Sequence, residues 1–173
     1  MNQKIWTIGH STRTLNEFTA LLKEFSIEVL ADVRRFPGSS KFPHFNKESL
    51  ALSLEAHNIQ YMHMLSLGGR RRVSNTSHST PWRNKAFQAY ADYMQTEEFK
   101  KGIEELTAVA NNKRTAIMCS EALWWRCHRS LISDYLKVKG WEVIHIMGEH
   151  KSQEHPFTSP ARVVQGRLDY GEN

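Results

Sequence analysis

Five short apolar runs recur along this chain, separated by longer stretches whose apolar residues fall at helical spacing, and this alternation limits the fold more than any other feature. A run of four to six apolar residues suits a buried strand, and a following period-3.6 segment suits a helix that returns the chain to the start of the next strand. The rhythm predicts a single α/β domain over residues 1–173, with about five strands in a mainly parallel sheet flanked by helices. Strands are expected at 4–9, 29–33, 60–64, 115–119 and 142–146. Helices are expected at 15–25, with Thr14 and Glu17 as a capping box, and at 47–57, 85–94 and 97–110. A fifth helix ends near Lys139 with Gly140 as its stop, and Cys127 falls in its first turn. In the tail, Pro160 and Gly166 bracket what reads as one more short helix, 158–166.

Composition supports one folded domain. Hydrophobic residues make up 40% of 173, with eight Phe, five Tyr and five Trp, enough for a sizeable core, which excludes a mainly disordered chain. Two Cys cannot build a disulfide scaffold. No uncharged apolar stretch approaches the roughly 18 residues of a membrane span, and the start MNQKIWTIGHS lacks the apolar segment of a signal peptide. A cytoplasmic protein with reduced thiols and no membrane partner is expected. The formal charge of +5 and a pI near 9.3 favour an anionic partner, either a small molecule or single-stranded nucleic acid. The sequence leaves the oligomeric state open.

In an open parallel sheet the ligand crevice lies beyond the carboxyl ends of the strands, so residues just after each strand are the candidates for chemistry. His10, Ser11 and Arg13 follow the first; Asp32, Arg34 and Arg35 close the second; Gly68, Gly69, Arg70, Arg71 and Arg72 follow the third. Cys119, Glu121, Trp124, Arg126, Cys127, His128 and Arg129 follow the fourth. Asp32 in a predicted strand and His10 in the turn directly after Gly9 each need a partner, because a charge at such positions is costly unless it is paired. A thiol beside a helix start, an imidazole and two guanidinium groups has the surroundings that stabilise a thiolate, so Cys119 or Cys127 is the candidate nucleophile, activated by His128 and Arg129. Either Cys also fits the core as a small apolar residue, and both readings stay open. Asp32 and Glu121 would orient His10, Arg34 or Arg126. Arg70, Arg71 and Arg72 would control access, and Trp124 would offer a stacking platform beside phosphate-binding Arg34, Arg126 and Arg129. No metal-ligand spacing such as Cys-x-x-Cys or His-Glu-x-x-His occurs, so no cofactor or metal is called for, although His10, Asp32, Cys119, Glu121, Cys127 and His128 include suitable donors.

Several short motifs together resemble one bacterial family: Gly9-His10-Ser11, Asp32-Val33-Arg34 with Phe45-Asn46-Lys47, Leu67-Gly68-Gly69-Arg70, Tyr90-Ala91-Asp92-Tyr93-Met94, and Met118-Cys119-Ser120-Glu121 with Cys127-His128-Arg129. The chain is similar in these to the family called domain of unknown function 488, over about residues 5–170. The resemblance implies a small cytoplasmic α/β protein with one shared site built from those residues, and it implies no activity. The residues favour a thiol-dependent enzyme acting on a phosphate-bearing substrate. A nucleic-acid-binding module with structural cysteines is the alternative, and a metal-dependent hydrolase the third reading.

Overall fold

The computed structural model describes residues 3–38, 41–69 and 85–170. Its elements follow the alternation of the sequence: β1 (Lys4–Gly9), α1 (Leu15–Glu24), β2 (Val29–Asp32), α2 (Lys47–Glu55), β3 (Gln60–His63), α3 (Lys85–Tyr93), α4 (Glu97–Ala110), β4 (Thr115–Cys119), α5 (Arg129–Val138) and β5 (Glu142–Gly148). The expected capping box at α1 is present, with Thr14 Oγ1 accepting from the Glu17 amide at 3.1 Å and Glu17 accepting from the Thr14 amide at 2.8 Å. Gly140, at φ +95°, ends α5: its amide donates to Lys137, and that of Trp141 to Leu136.

The main sheet has six strands in the order β3-β2-β4-β1-β5-β6, parallel except for β6 (Lys151–Glu154), which returns antiparallel along β5. This last strand has no apolar signal, because an exposed edge hairpin needs backbone pairing and no buried face. Central β2 and β4 are buried at every position, as parallel strands covered on both faces must be. Phe18, Leu22, Leu50 and Leu54 of α1 and α2 cover one face with Ile8, Leu30 and Met118. Tyr90, Phe99, Ile103, Leu131 and Leu136 of α3, α4 and α5 cover the other with Ile5, Val33 and Ile117.

Two local expectations fail. The tail segment 158–166 is not a helix; β7 (Arg162–Val164) and β8 (Arg167–Asp169) form a hairpin instead. Gln165 and Gly166 both take positive φ, 52° and 75°, as a tight two-residue hairpin turn requires, so this Gly closes a hairpin rather than a helix. Cys127 also lies outside the helix: α5 starts at Arg129 with His128 as its cap, and residues 124–126 make a separate 3₁₀ turn.

Candidate functional site

Because β3, β2, β4 and β1 are parallel neighbours, their carboxyl ends share one edge and the four following loops meet there. The His10 amide donates to the Cys119 carbonyl at 3.0 Å, that of Ser11 to Ser120 at 3.0 Å and that of Val33 to Met118 at 3.0 Å. The helix side is equally tight. His128 Nε2 donates to the Val33 carbonyl at 2.7 Å, and a Cβ on Gly69 would stand 2.8 Å from its Nδ1. Gly9 has no room for a side chain either, since a Cβ there would lie 1.8 Å from the Glu121 carbonyl oxygen.

Strand alternation then divides the candidates between the two faces of this edge. On the face of α1 and α2, Arg34 closes on Asp32: its Nε donates to Oδ1 at 2.9 Å and its NH2 to Oδ2 at 2.7 Å. The Arg34 amide and the Tyr61 hydroxyl donate to the same carboxylate. His10 stacks on Phe45 at 4.3 Å, with Nδ1 on the Ser11 carbonyl and Nε2 3.5 Å from Arg34 NH1. Burial holds His10 neutral, with its pKa lowered to about 4.

On the opposite face the two thiols meet, Cys119 Sγ lying 2.8 Å from Cys127 Sγ. Arg129, 1% exposed, spans them: its Nε donates to Cys119 at 3.0 Å and to Cys127 at 3.3 Å. The Arg129 amide, at the start of α5, also donates to Cys127 Sγ at 3.3 Å. Burial alone would raise both thiols. For Cys127 that penalty is outweighed by the hydrogen bond from Cys119 and the charge of Arg129, with His128 adding to them, so its pKa falls to about 5. Cys119 moves the other way, pushed up by burial and then by the anion on Cys127. The pair therefore holds one proton and one negative charge against a buried guanidinium.

The rest of Arg129 leads inward along a chain that sequence reading missed. NH2 donates to the Glu121 carbonyl at 2.6 Å, and NH1 to Thr7 Oγ1 at 3.1 Å. Thr7 Oγ1 lies 2.6 Å from His145 Nδ1, His145 Nε2 lies 2.8 Å from His155 Nδ1, and His155 Nε2 lies 2.7 Å from Asp134 Oδ1. One assignment satisfies every link: each group donates to the next, from Arg129 to the Asp134 carboxylate. Thr7, His145, His155 and Asp134 are all at most 1% exposed. His145 is held neutral, its pKa lowered to about 2 by burial and then by His155 and Arg129. The available signal was Asp134 between Leu131 and Tyr135, a carboxylate on the apolar stripe of its helix. Trp124 belongs to this chain and not to a substrate platform: it stacks on His145 at 4.5 Å and is 7% exposed.

The other expected site residues divide in the same way. Glu121 serves through its main-chain carbonyl, and Arg34 and Arg129, expected to bind substrate, direct their guanidinium groups at internal acceptors. Arg126 is exposed beside the thiols in sequence, whereas Arg70, Arg71 and Arg72 lie outside the described residues. His10 and Asp32 share the thiols' edge of the sheet but not their face, so they do not form one cluster with Cys119. Among the described residues no three His, Cys, Asp or Glu side chains gather as metal ligands, and no helix is long and apolar enough to cross a membrane. A surface cleft of about 400 Å³ between α3, α4, α5 and β8 is lined by neither thiol and includes Tyr170, whose hydroxyl donates to Asp134.

Residues 14–136 match the family model described as Domain of unknown function DUF488, a span that includes both thiols, Arg129 and Asp134 but not Thr7, His145 or His155. No curated protein and no solved structure matches the chain significantly.

Proposed function

The chain belongs to the domain of unknown function DUF488 family, and we propose that it is a thiol-dependent enzyme whose nucleophile is Cys127 and whose substrate bears phosphate, as a nucleotide or single-stranded nucleic acid does. One observation carries the reading: a fully buried guanidinium held 3.0 and 3.3 Å from two thiols that are themselves 2.8 Å apart. Of the two, Cys127 is the more exposed and the one held as thiolate.

The chemistry follows from charge. Cys127 Sγ bonds to the electrophilic centre of the substrate, and the leaving oxygen departs with the bonding pair. The anion beside Arg129 is thereby lost, and with it the repulsion that holds the Cys119 proton in place. Cys119 can then pass that proton to the leaving oxygen and become the anion that Arg129 faces. Attack by water, or by a second hydroxyl group, releases the product, regenerates the Cys127 thiolate and returns a proton to Cys119. The +5 charge and exposed Arg126 suit an anionic substrate, and a reducing compartment such as the cytoplasm suits the thiols.

Two measurements test the proposal. Iodoacetamide should label Cys127 with a midpoint well below the ordinary thiol value of about 8.5, and Cys127→Ser should abolish turnover of a panel of nucleotides and phosphodiesters while leaving binding intact. Turnover surviving in Cys127→Ser would sink the nucleophile. Binding that is unchanged in both Cys→Ser variants, with no turnover by the wild type, would favour the nucleic-acid-binding module, in which Cys119 and Cys127 only pack the core.

A further inference from the structure

We propose that Cys119 and Cys127 are a redox-active dithiol that exchanges with small disulfides, Cys127 attacking and Cys119 resolving. This rests on the same reading of Cys127 as the thiolate of the pair. The geometry carries it: the two sulfurs, both free, are 2.8 Å apart, so an approach of under about 1 Å reaches the S–S bond length of ~2.05 Å. They sit on rigid supports, Cys119 at the last position of a central strand and Cys127 tied by its sulfur to the first amide of α5.

The reaction balances with a low-molecular-weight disulfide RSSR as oxidant. The Cys127 thiolate attacks one sulfur, forming Cys127–S–S–R and releasing RS⁻. With its anionic neighbour gone, Cys119 gives up its proton to RS⁻, attacks Cys127 Sγ, forms the Cys119–Cys127 disulfide and releases a second RS⁻. Two electrons leave the protein, and one proton and RSSR become RSH and RS⁻. Two small thiols reverse the process.

Arg129 sets the direction of the equilibrium. In the dithiol its charge faces a thiolate; in the disulfide it faces two neutral sulfurs while still buried, with Thr7 and the Glu121 and Ala122 carbonyls as its remaining partners among the described residues. A buried cation that has lost its anion disfavours that state. The reduced form is therefore favoured, and the disulfide is an oxidising one.

The test uses the whole chain in buffers of reduced and oxidised glutathione, followed by acid quench, thiol labelling and intact mass. The wild type should lose both thiols together, two hydrogens lighter and without bound glutathione, and Cys119→Ser should accumulate one glutathione on Cys127. Arg129→Met should shift the equilibrium at least tenfold toward the disulfide, about 30 mV more negative for this two-electron couple. Circular dichroism confirms its fold, and Arg129→Lys, which keeps the charge, should shift less. A stable glutathione adduct on the wild type with Cys119 still free, or no reaction at all, overturns the proposal. If Cys127 is nonetheless alkylated well below pH 8.5, the nucleophile stands and only the redox role falls; if it is not, both fall.

Discussion

Removing the carboxylate of Asp134 tests whether the buried chain behind the thiols ties the carboxyl-terminal part of the fold together. Asp134 accepts four hydrogen bonds: from His155 Nε2 at 2.7 Å, the Thr158 amide at 3.0 Å, the Thr158 hydroxyl at 2.5 Å and the Tyr170 hydroxyl at 2.6 Å. In Asp134→Ala the two Thr158 groups can turn to water, since that residue is only half-buried. His155 and Tyr170, 1% and 7% exposed, cannot. Two stranded buried donors at ~1–3 kcal/mol each give an expected loss of about 3–5 kcal/mol, the range for breaking a buried polar pair. At roughly 2–4 °C per kcal/mol for a domain of this size, the Tm falls by roughly 6–20 °C. Asp134→Asn keeps one carbonyl oxygen for His155, and both hydroxyls can reverse to accept from its amide, so it should lose only about 1–2 kcal/mol. Urea and thermal unfolding followed by circular dichroism measure both variants. An Asp134→Ala protein within about 1 kcal/mol of wild type would refute the reasoning, because four well-formed buried bonds would then hold nothing.

Acid should destabilise the protein through groups whose folded pKa is depressed: His10 to about 4 and His145 to about 2 from 6.5, and Cys127 to about 5 from 9. Each contributes stability that is present above its unfolded pKa and lost, at up to about 1.4 kcal/mol per pH unit, as pH falls toward the folded value. Stability measured between pH 6.5 and 4 should therefore fall less steeply in His145→Gln, by about one proton's worth; an unchanged slope counts against its burial as a neutral ring. Gly9→Ala drives a methyl into the Glu121 carbonyl, so it should lose roughly 3 kcal/mol or more, at or above the upper end for overpacking; wild-type unfolding would show that this contact is loose. In Cys127→Ala the thiolate absorbance of Cys119 should titrate at lower pH than the raised value it has in the pair, because the anion opposing it is gone while Arg129 remains. A Cys119 titration unchanged by that substitution would remove the proton handover from the mechanism.

The residues alone determined the layered α/β architecture, the ends of β1, β4 and α4, the capping box at Thr14 and the stop at Gly140. These depend on apolar period, caps and turn residues within a few positions of one another. They also placed the thiols beside Arg129, since eight and ten residues of separation across a strand end leave few alternatives, and they required a partner for Asp32 while leaving it open among His10, Arg34 and Arg126; the fold chose Arg34. Tertiary structure decided the rest. Whether Asp32 and Cys119 face the same side depends on the register between β2 and β4 and on strand parity, and a shift of one residue would reverse it. Thr7, His145, His155 and Asp134 become neighbours only because β1 lies between β4 and β5 and the segment after β6 returns over α5. The tail reads locally as a helix because Pro160 and Gly166 suit a helix start and stop as well as a hairpin, and its packing against α5 distinguishes the two. Local signals specify elements because they act through bonds and near neighbours; the buried chain behind the thiols joins residues up to 138 positions apart, and no local period records such a contact.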